Sequence, residues 1–387
     1  MKKFFCTLIT IIVLTITTAA VAAPKPKPLD PDQVVKDAIA HFMKKYHVPG
    51  AAVVLYIHNR AYTYYFGYAN KKTKKPVDNK TLFELGSLTK LFTTLLLAEQ
   101  IDANKMHLLD LAARYFPELQ QGSKQFSQVH LLNLATHTAG FSLDLPGGVN
   151  SQQDLMNYLK GWHSDLSVGK QWSYSNIGIG LLGDAIVNAT GESYQQLLNE
   201  EILQELGMQH TYIDIPANEI NNLAQGYNES GQPAPRVVSE LFPAAWALKS
   251  TLPDMQRFLS ASIHISGTPY SISHALRIAQ TPYFALKDMQ QGLAWQVYRL
   301  NPKTMNDLLN PPTTFDISAQ PARFIIKIKR QYNGKDLIDK TGATDGFRAY
   351  LAVIPAKKSG IIILANRYVA NGPVVKVGRE ILFKLVK

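Results

Sequence analysis

The sequence predicts a mixed α/β protein in which an antiparallel sheet, flanked by N- and C-terminal helices, is interrupted by an inserted all-helical lobe. Three observations predict it. A helix followed by a strand hairpin opens the chain, a hairpin followed by a helix closes it, and the stretch from about residue 88 to 206 carries mainly helical periodicity. A pair of hairpins at the two ends, each with an amphipathic helix outside it, is most simply buried as one shared sheet. We divide the chain accordingly: residues 23–105 form the first part of the α/β lobe, 106–230 the helical lobe and 231–387 the second part of the α/β lobe. All three belong to one discontinuous domain, with a cleft between lobes as the natural place for a small molecule.

The elements follow in order. Lys2 and Lys3, the apolar run 4–16 and the small residues Ala20-Val21-Ala22 have the pattern of a secretory signal peptide over residues 1–22; Pro24 disfavours a cut after Ala23. The apolar run is short for a bilayer span and is followed by alternating Pro and Lys, so no membrane association is expected after cleavage. Removing 22 of 387 residues leaves 365, takes away Cys6 (the single cysteine) and lowers the formal net charge from +11 to +9. The mature chain would therefore have no disulfide, and a bacterial periplasm of the Gram-negative type is the compartment expected. Beyond the leader, residues 32–47 place Val35, Ile39, Met43 and Tyr46 at helical spacing after Asp30-Pro31. Residues 51–58 and 61–68 read as a hairpin turning at Asn59-Arg60. Helical patterns cover 91–101, 107–115, 129–135, 154–162, 177–189 and 194–206. The second hairpin joins 348–354 to 361–365, and Val374, Val377, Ile381, Leu382 and Leu385 mark a final helix. The densest basic group, Lys71 to Lys75, lies between a strand-like run and Pro76 and reads as a solvated turn, so no nucleic-acid partner is expected.

Three motifs carry chemistry. In Ser87-Leu88-Thr89-Lys90 a serine and a lysine three apart share a helix face, so the ammonium reaches the hydroxyl that it would activate. A second Ser-x-x-Lys, at Ser167 and Lys170, contains glycine and reads as loop. In Tyr174-Ser175-Asn176 the phenol becomes a general base only if its pKa falls from about 10 toward neutrality, roughly 4 kcal/mol. Two nearby ammonium groups would supply that, and Lys90 and Lys340 are the candidates. Asn176 would orient Lys90 and bind an amide carbonyl. A similar triplet, Tyr68-Ala69-Asn70, ends a hairpin strand and reads as packing or turn. Lys340-Thr341-Gly342-Ala343 is placed on an edge strand. There Lys340 and Thr341 would meet a carboxylate, and Gly342 would let a substrate backbone come close. The backbone amides of Ser87 and Ala343 would form an oxyanion hole. The order Ser-x-x-Lys, Tyr-x-Asn, Lys-Thr-Gly is far more specific than any one of them. No metal or other cofactor is expected: the ten histidines are dispersed, and His130 and His137 read as helix or turn residues.

At these residues the chain resembles the class C serine β-lactamases. The likeness runs from about Val48 to the C-terminus through Phe66-Gly67-Tyr68-Ala69, the segment 82–90, the segment 131–140, Gln291 to Trp295, Lys340 to Phe347 and Ile363 to Asn366. The resemblance implies a β-lactamase/transpeptidase-like fold and a metal-free acylation–deacylation cycle on a small-molecule β-lactam, carried out by a monomer. It implies Ser87 as nucleophile, Lys90 as its partner, and Tyr174 as donor to the leaving nitrogen and later activator of water. Asn176 is implied as amide binder, and Lys340 and Thr341 as carboxylate-side residues. It places Asn371 at a carboxylate-recognising position and Trp246 near a tyrosine that walls the pocket. Three residues depart from the pattern: Asp144 stands where glutamine usually contacts the side-chain amide, Asp339 where histidine is usual, and Val374 where arginine is usual, with Lys376 close by. Two alternatives stay open. One is a D-alanyl-D-alanine carboxypeptidase, penicillin-binding protein or esterase of the same superfamily. The other is an inactive cell-wall fragment-binding protein.

Overall fold

The computed structural model describes residues 29–119, 122–238, 241–325 and 332–386; the predicted signal peptide and the Pro-Lys segment after it lie outside these. Helix α1 (Pro31–Tyr46) starts where the Asp30 carboxylate accepts the Asp32 amide hydrogen at 3.1 Å and Pro31 takes the first helical position. It stops at a left-handed His47. Strands β1 (Gly50–Ile57) and β2 (Arg60–Asn70) form the first hairpin. Ile57 pairs with Arg60, so the turn sits on His58-Asn59, one residue earlier than the sequence pointed to; both residues have positive φ, 47° and 74°. Two left-handed residues in succession twist a two-residue turn to match its strands.

The rest of the sheet comes from the far end of the chain. Strands β3 (Gln296–Tyr298), β4 (Leu337–Ala343), β5 (Arg348–Ile354) and β6 (Ser359–Ala365) lie in the order β3-β4-β5-β6-β1-β2, all neighbours antiparallel. Two-residue strands extend this to ten. The join between the chain's halves is β1 on β6, with Ala51 opposite Ala365. Side chains of β1 alternate between two cores: Ala51, Val53 and Leu55 pack with α1 and the last helix, Ala52 and Val54 with the helical region. Burial on both faces explains why β1, β5 and β6 read as continuous apolar runs.

The helical region comprises α2 (Thr89–Asp102), α3 (Leu131–Ala135), α4 (Gln152–Lys160), α5 (Asn176–Thr190), α6 (Tyr194–Leu198) and α7 (Pro243–Trp246). Helices α8 (Leu252–Ser262), α9 (Tyr270–Gln280), α10 (Pro302–Leu308) and α11 (Asn371–Leu385) complete the fold. Two helical expectations fail. Residues 107–115 make only a short 3₁₀ turn at Ala112–Tyr115, because the Leu108 and Asp110 carbonyls accept from Leu132 and Leu131 and the Asp110 side chain takes the His107 amide hydrogen. The helix expected over 194–206 ends at Leu198 and widens into a π turn over Asn199–Leu203. Strand β4 is an edge in part only: β3 covers Leu337 to Asp339, and that side is open from Lys340 onward. Among the described residues no helix is long and apolar enough to cross a membrane.

Candidate active site

Ser87 sits in the single turn Gly86–Leu88 that runs into α2, one helical turn before Lys90. The turn is pressed against β4. A Cβ on Gly342 would lie 2.0 Å from the Leu85 carbonyl oxygen, and one on Gly86, at φ +51°, would lie 2.4 Å from the Ala343 carbonyl oxygen. Gly342 therefore admits the protein's own backbone, not a substrate's as the sequence reading had it, and this contact sets Ser87 beside Ala343.

Lys90 is fully buried, and its three donors meet three acceptors: Ser87 Oγ at 3.2 Å, Asn176 Oδ1 at 2.6 Å and the Ala245 carbonyl at 2.8 Å. Helix α7 brings that carbonyl in. It lies close on α5 because Gly180 leaves room for the Phe242 ring, which a Cβ there would meet at 2.1 Å. Tyr174 immediately precedes α5, whose N-cap is Ser175 (Oγ to the Gly178 amide, 3.0 Å). The Tyr174 hydroxyl accepts from Lys340 Nζ at 3.1 Å, and the Lys90 and Lys340 ammonium groups lie 5.2 and 5.0 Å from the phenol ring centre. Lys340 also donates to the Thr341 carbonyl at 2.8 Å.

This crowding moves two titrations toward each other. Burial, then the positive charge of Lys340, brings Lys90 down to about 8 against the opposing pull of Tyr174. Burial alone would raise Tyr174, but the charges of Lys340 and Lys90 outweigh it and bring the phenol down to about 8. A serine hydroxyl thus faces a lysine and a tyrosine, each able to take or give a proton near neutral pH.

Ser87, Tyr174, Lys340, Thr341, Ala343 and Asn371 line one open cleft of about 1160 Å³, with Leu143, Trp172 and Phe315 among its other walls. Asn371 opens α11 at the cleft. Asp144 is exposed and accepts from Asn176 Nδ2 at 2.6 Å, so Asn176 spans Lys90 and Asp144. Trp246 ends α7, half-buried against the main core, and is not among the residues lining the cleft.

The β-lactamase family model matches residues 35–385. The chain belongs to the β-lactamase family. A Pseudomonas fluorescens β-lactamase is 32% identical over 352 residues, 90% of this chain and 97% of that protein. The structure of a class C β-lactamase in complex with cefoxitin superposes with a TM-score of 0.85 at 33% identity, covering 92% of this chain and 99% of that one. A Burkholderia cenocepacia D-alanine carboxypeptidase superposes at 0.84 with 33% identity, over 92% and 99%. The likeness to class C β-lactamases thus extends to both sequence and fold.

Within this family frame two of the departures, Asp339 and Val374, are set in the interior. Asp339 is buried and bound to the Arg379 guanidinium at 2.8 Å and the Tyr350 hydroxyl at 2.7 Å. Val374 lies in the core, and Lys376 turns to the Leu309 carbonyl and Glu380, so neither presents a charge to the cleft. The sequence reading singled out neither of the arginines at the cleft, Arg299 and the buried Arg379. The sequence held only a hint of Arg379: Asp339, on a buried strand, calls for a cationic partner without saying which residue supplies it. His137 was also read only as helix or turn, yet its ring packs against Tyr174 at a tilt of 37°, with centres 4.4 Å apart.

Proposed function

We propose that this chain is a serine β-lactamase of the class C type, opening the β-lactam amide of cephalosporins and penicillins through an acyl-enzyme on Ser87. One observation carries the reading: Ser87, Tyr174 and Lys340, separated by up to 253 positions in sequence, line a single cleft with Lys90 buried behind them, Lys90 bonded to Ser87, Lys340 bonded to Tyr174 and both ammonium groups beside the phenol ring. Ser87 Oγ attacks the lactam carbonyl carbon while its proton passes to Lys90 or Tyr174. The resulting oxyanion takes hydrogen bonds from the Ser87 and Ala343 amides, each worth about 3–4 kcal/mol. Tyr174 then protonates the departing ring nitrogen as the C–N bond breaks. For deacylation it withdraws a proton from water, which attacks the ester and returns Ser87 Oγ–H.

Substrate positioning falls to the surroundings. Lys340, Thr341 and Asn371 receive the carboxylate, and Asn176 faces the side-chain amide. Trp246, at the end of α7, lies outside the cleft lining and is assigned a packing role against the main core. We further propose export to the periplasm through cleavage after Ala22, action as a soluble monomer without cofactor, and residues 106–230 as a mainly helical lobe inserted in the α/β lobe.

The second reading, a D-alanyl-D-alanine carboxypeptidase, is favoured by the carboxypeptidase neighbour at TM-score 0.84. Steady-state assays separate the two. A lactamase turns over a chromogenic cephalosporin continuously and leaves an acyl-D-alanyl-D-alanine peptide essentially uncut. One stoichiometric acylation without turnover, together with release of D-alanine, would establish the peptidase instead. Ser87→Ala is the control for both.

A further inference from the structure

We propose that His137 is a positioning residue for Tyr174, holding the backbone on both sides of the phenol. The inference rests on the role given to Tyr174 above. Helix α3 ends in a Schellman-type stop: Thr136 is the C-cap, His137 follows in the left-handed region at φ +60°, and the Thr138 amide donates to the Asn133 carbonyl at 2.9 Å. Glycine is the residue such a position prefers, and asparagine tolerates it better than most. Histidine takes this conformation at His47 and His58 too, so the reason for the imidazole lies beyond the backbone.

The contacts of His137 supply it. Its carbonyl accepts the Ser173 amide hydrogen at 2.8 Å, and its Nδ1 accepts the Ser175 amide hydrogen at 3.3 Å. One residue therefore grips both neighbours of Tyr174, and its ring also packs on the phenol face. Because Nδ1 accepts, the neutral ring carries its hydrogen on Nε2, which is buried with no partner among the described residues. An unmet buried donor and a left-handed backbone are both local costs that a simple helix stop would avoid with glycine.

The ring also stays uncharged. Burial, then the positive charges of Lys90 and Lys340, hold His137 well below the ordinary histidine range. An N–H at Nδ1 would point at the Ser175 amide hydrogen and break the grip, so the neutral form is the one that positions Tyr174. The carbonyl contact belongs to any residue at 137; the ring contact belongs to histidine.

Two variants separate this from a helix stop, with a chromogenic cephalosporin as probe. His137→Gly suits the backbone and removes the acceptor; kcat falls roughly tenfold or more while KM stays within about threefold, as expected for a displaced proton-transfer group. His137→Asn tolerates the left-handed backbone and places Oδ1 near the former Nδ1; it recovers most of kcat. Wild-type kcat in His137→Gly would overturn the proposal. Should the glycine variant not fold, a folded His137→Asn as slow as Tyr174→Phe overturns it equally. Tyr174→Phe run in parallel keeps the two claims apart: if it turns over normally, the role of Tyr174 fails, whereas its loss beside an unaffected His137→Gly removes only His137.

Discussion

Lys90 holds an ammonium group out of solvent with each of its hydrogens engaged, and Tyr174 holds a phenol against two positive charges. Both titrate near 8, so small changes of pH around that value change how many protons the pair holds. A general base works in its deprotonated form. The kcat/KM of the wild type should therefore climb as pH rises through about 8 and level off above it, and Tyr174→Phe should flatten that rise. A rise that survives in Tyr174→Phe assigns the base to Lys90. Asp144 poses a different question at the same scale. Its carboxylate fixes the Asn176 amide, with Nδ2 toward Asp144 and Oδ1 toward Lys90. Asp144→Gln keeps an acceptor for Asn176 and removes the charge. Relative hydrolysis of substrates with anionic side chains should improve about fivefold over neutral ones, the Coulomb effect of one unit charge about 4 Å away in water. An unchanged ratio would show that the charge plays no part in selection.

At the scale of elements, the strand carrying Lys340 and Thr341 is anchored from behind. Asp339 points to the opposite face of β4 and binds Arg379 of α11, which also donates to the Tyr350 hydroxyl at 3.2 Å and the Leu308 carbonyl at 3.2 Å. The guanidinium thus joins β4, β5, α10 and α11. Removing one partner of a buried ion pair leaves the other uncompensated, at a cost of about 3–5 kcal/mol. Asp339→Asn should lower Tm by several degrees in calorimetry, and Asp339→Leu combined with Arg379→Met should regain part of that loss. A single variant as stable as the wild type would show that the pair anchors nothing. The same strand shows what pattern can and cannot give. Lys340-Thr341-Gly342 was recognisable at once, but that Gly342 faces Leu85 is a tertiary contact with no trace in local sequence. Likewise, periodicity gave α1 and α11 because each buries one face, while α2 and α5, buried almost all round, read as apolar runs of helical length. It failed over residues 107–115, whose carbonyls are bound by α3 from outside the segment.

For the whole molecule, the chain's two ends had to be brought together before the site existed. Pairing of β1 with β6 does this, and the hairpins that announce it were legible because their turns and apolar runs are local signals. The site was legible as three motifs in order, since each keeps its chemistry within a few residues. Arg379 and His137 were not, since one acts through an ion pair 40 positions away and the other through amides 36 and 38 positions on. The central claim is that the assembled cleft forms an ester on Ser87 and then frees it. Time-resolved mass spectrometry of the protein mixed with a cephalosporin tests it most directly. The account predicts a transient adduct, mapped to the peptide containing Ser87, that decays at the rate at which hydrolysed product appears and is absent in Ser87→Ala. Hydrolysis with no adduct on that peptide, or with an equal rate in Ser87→Ala, would contradict it.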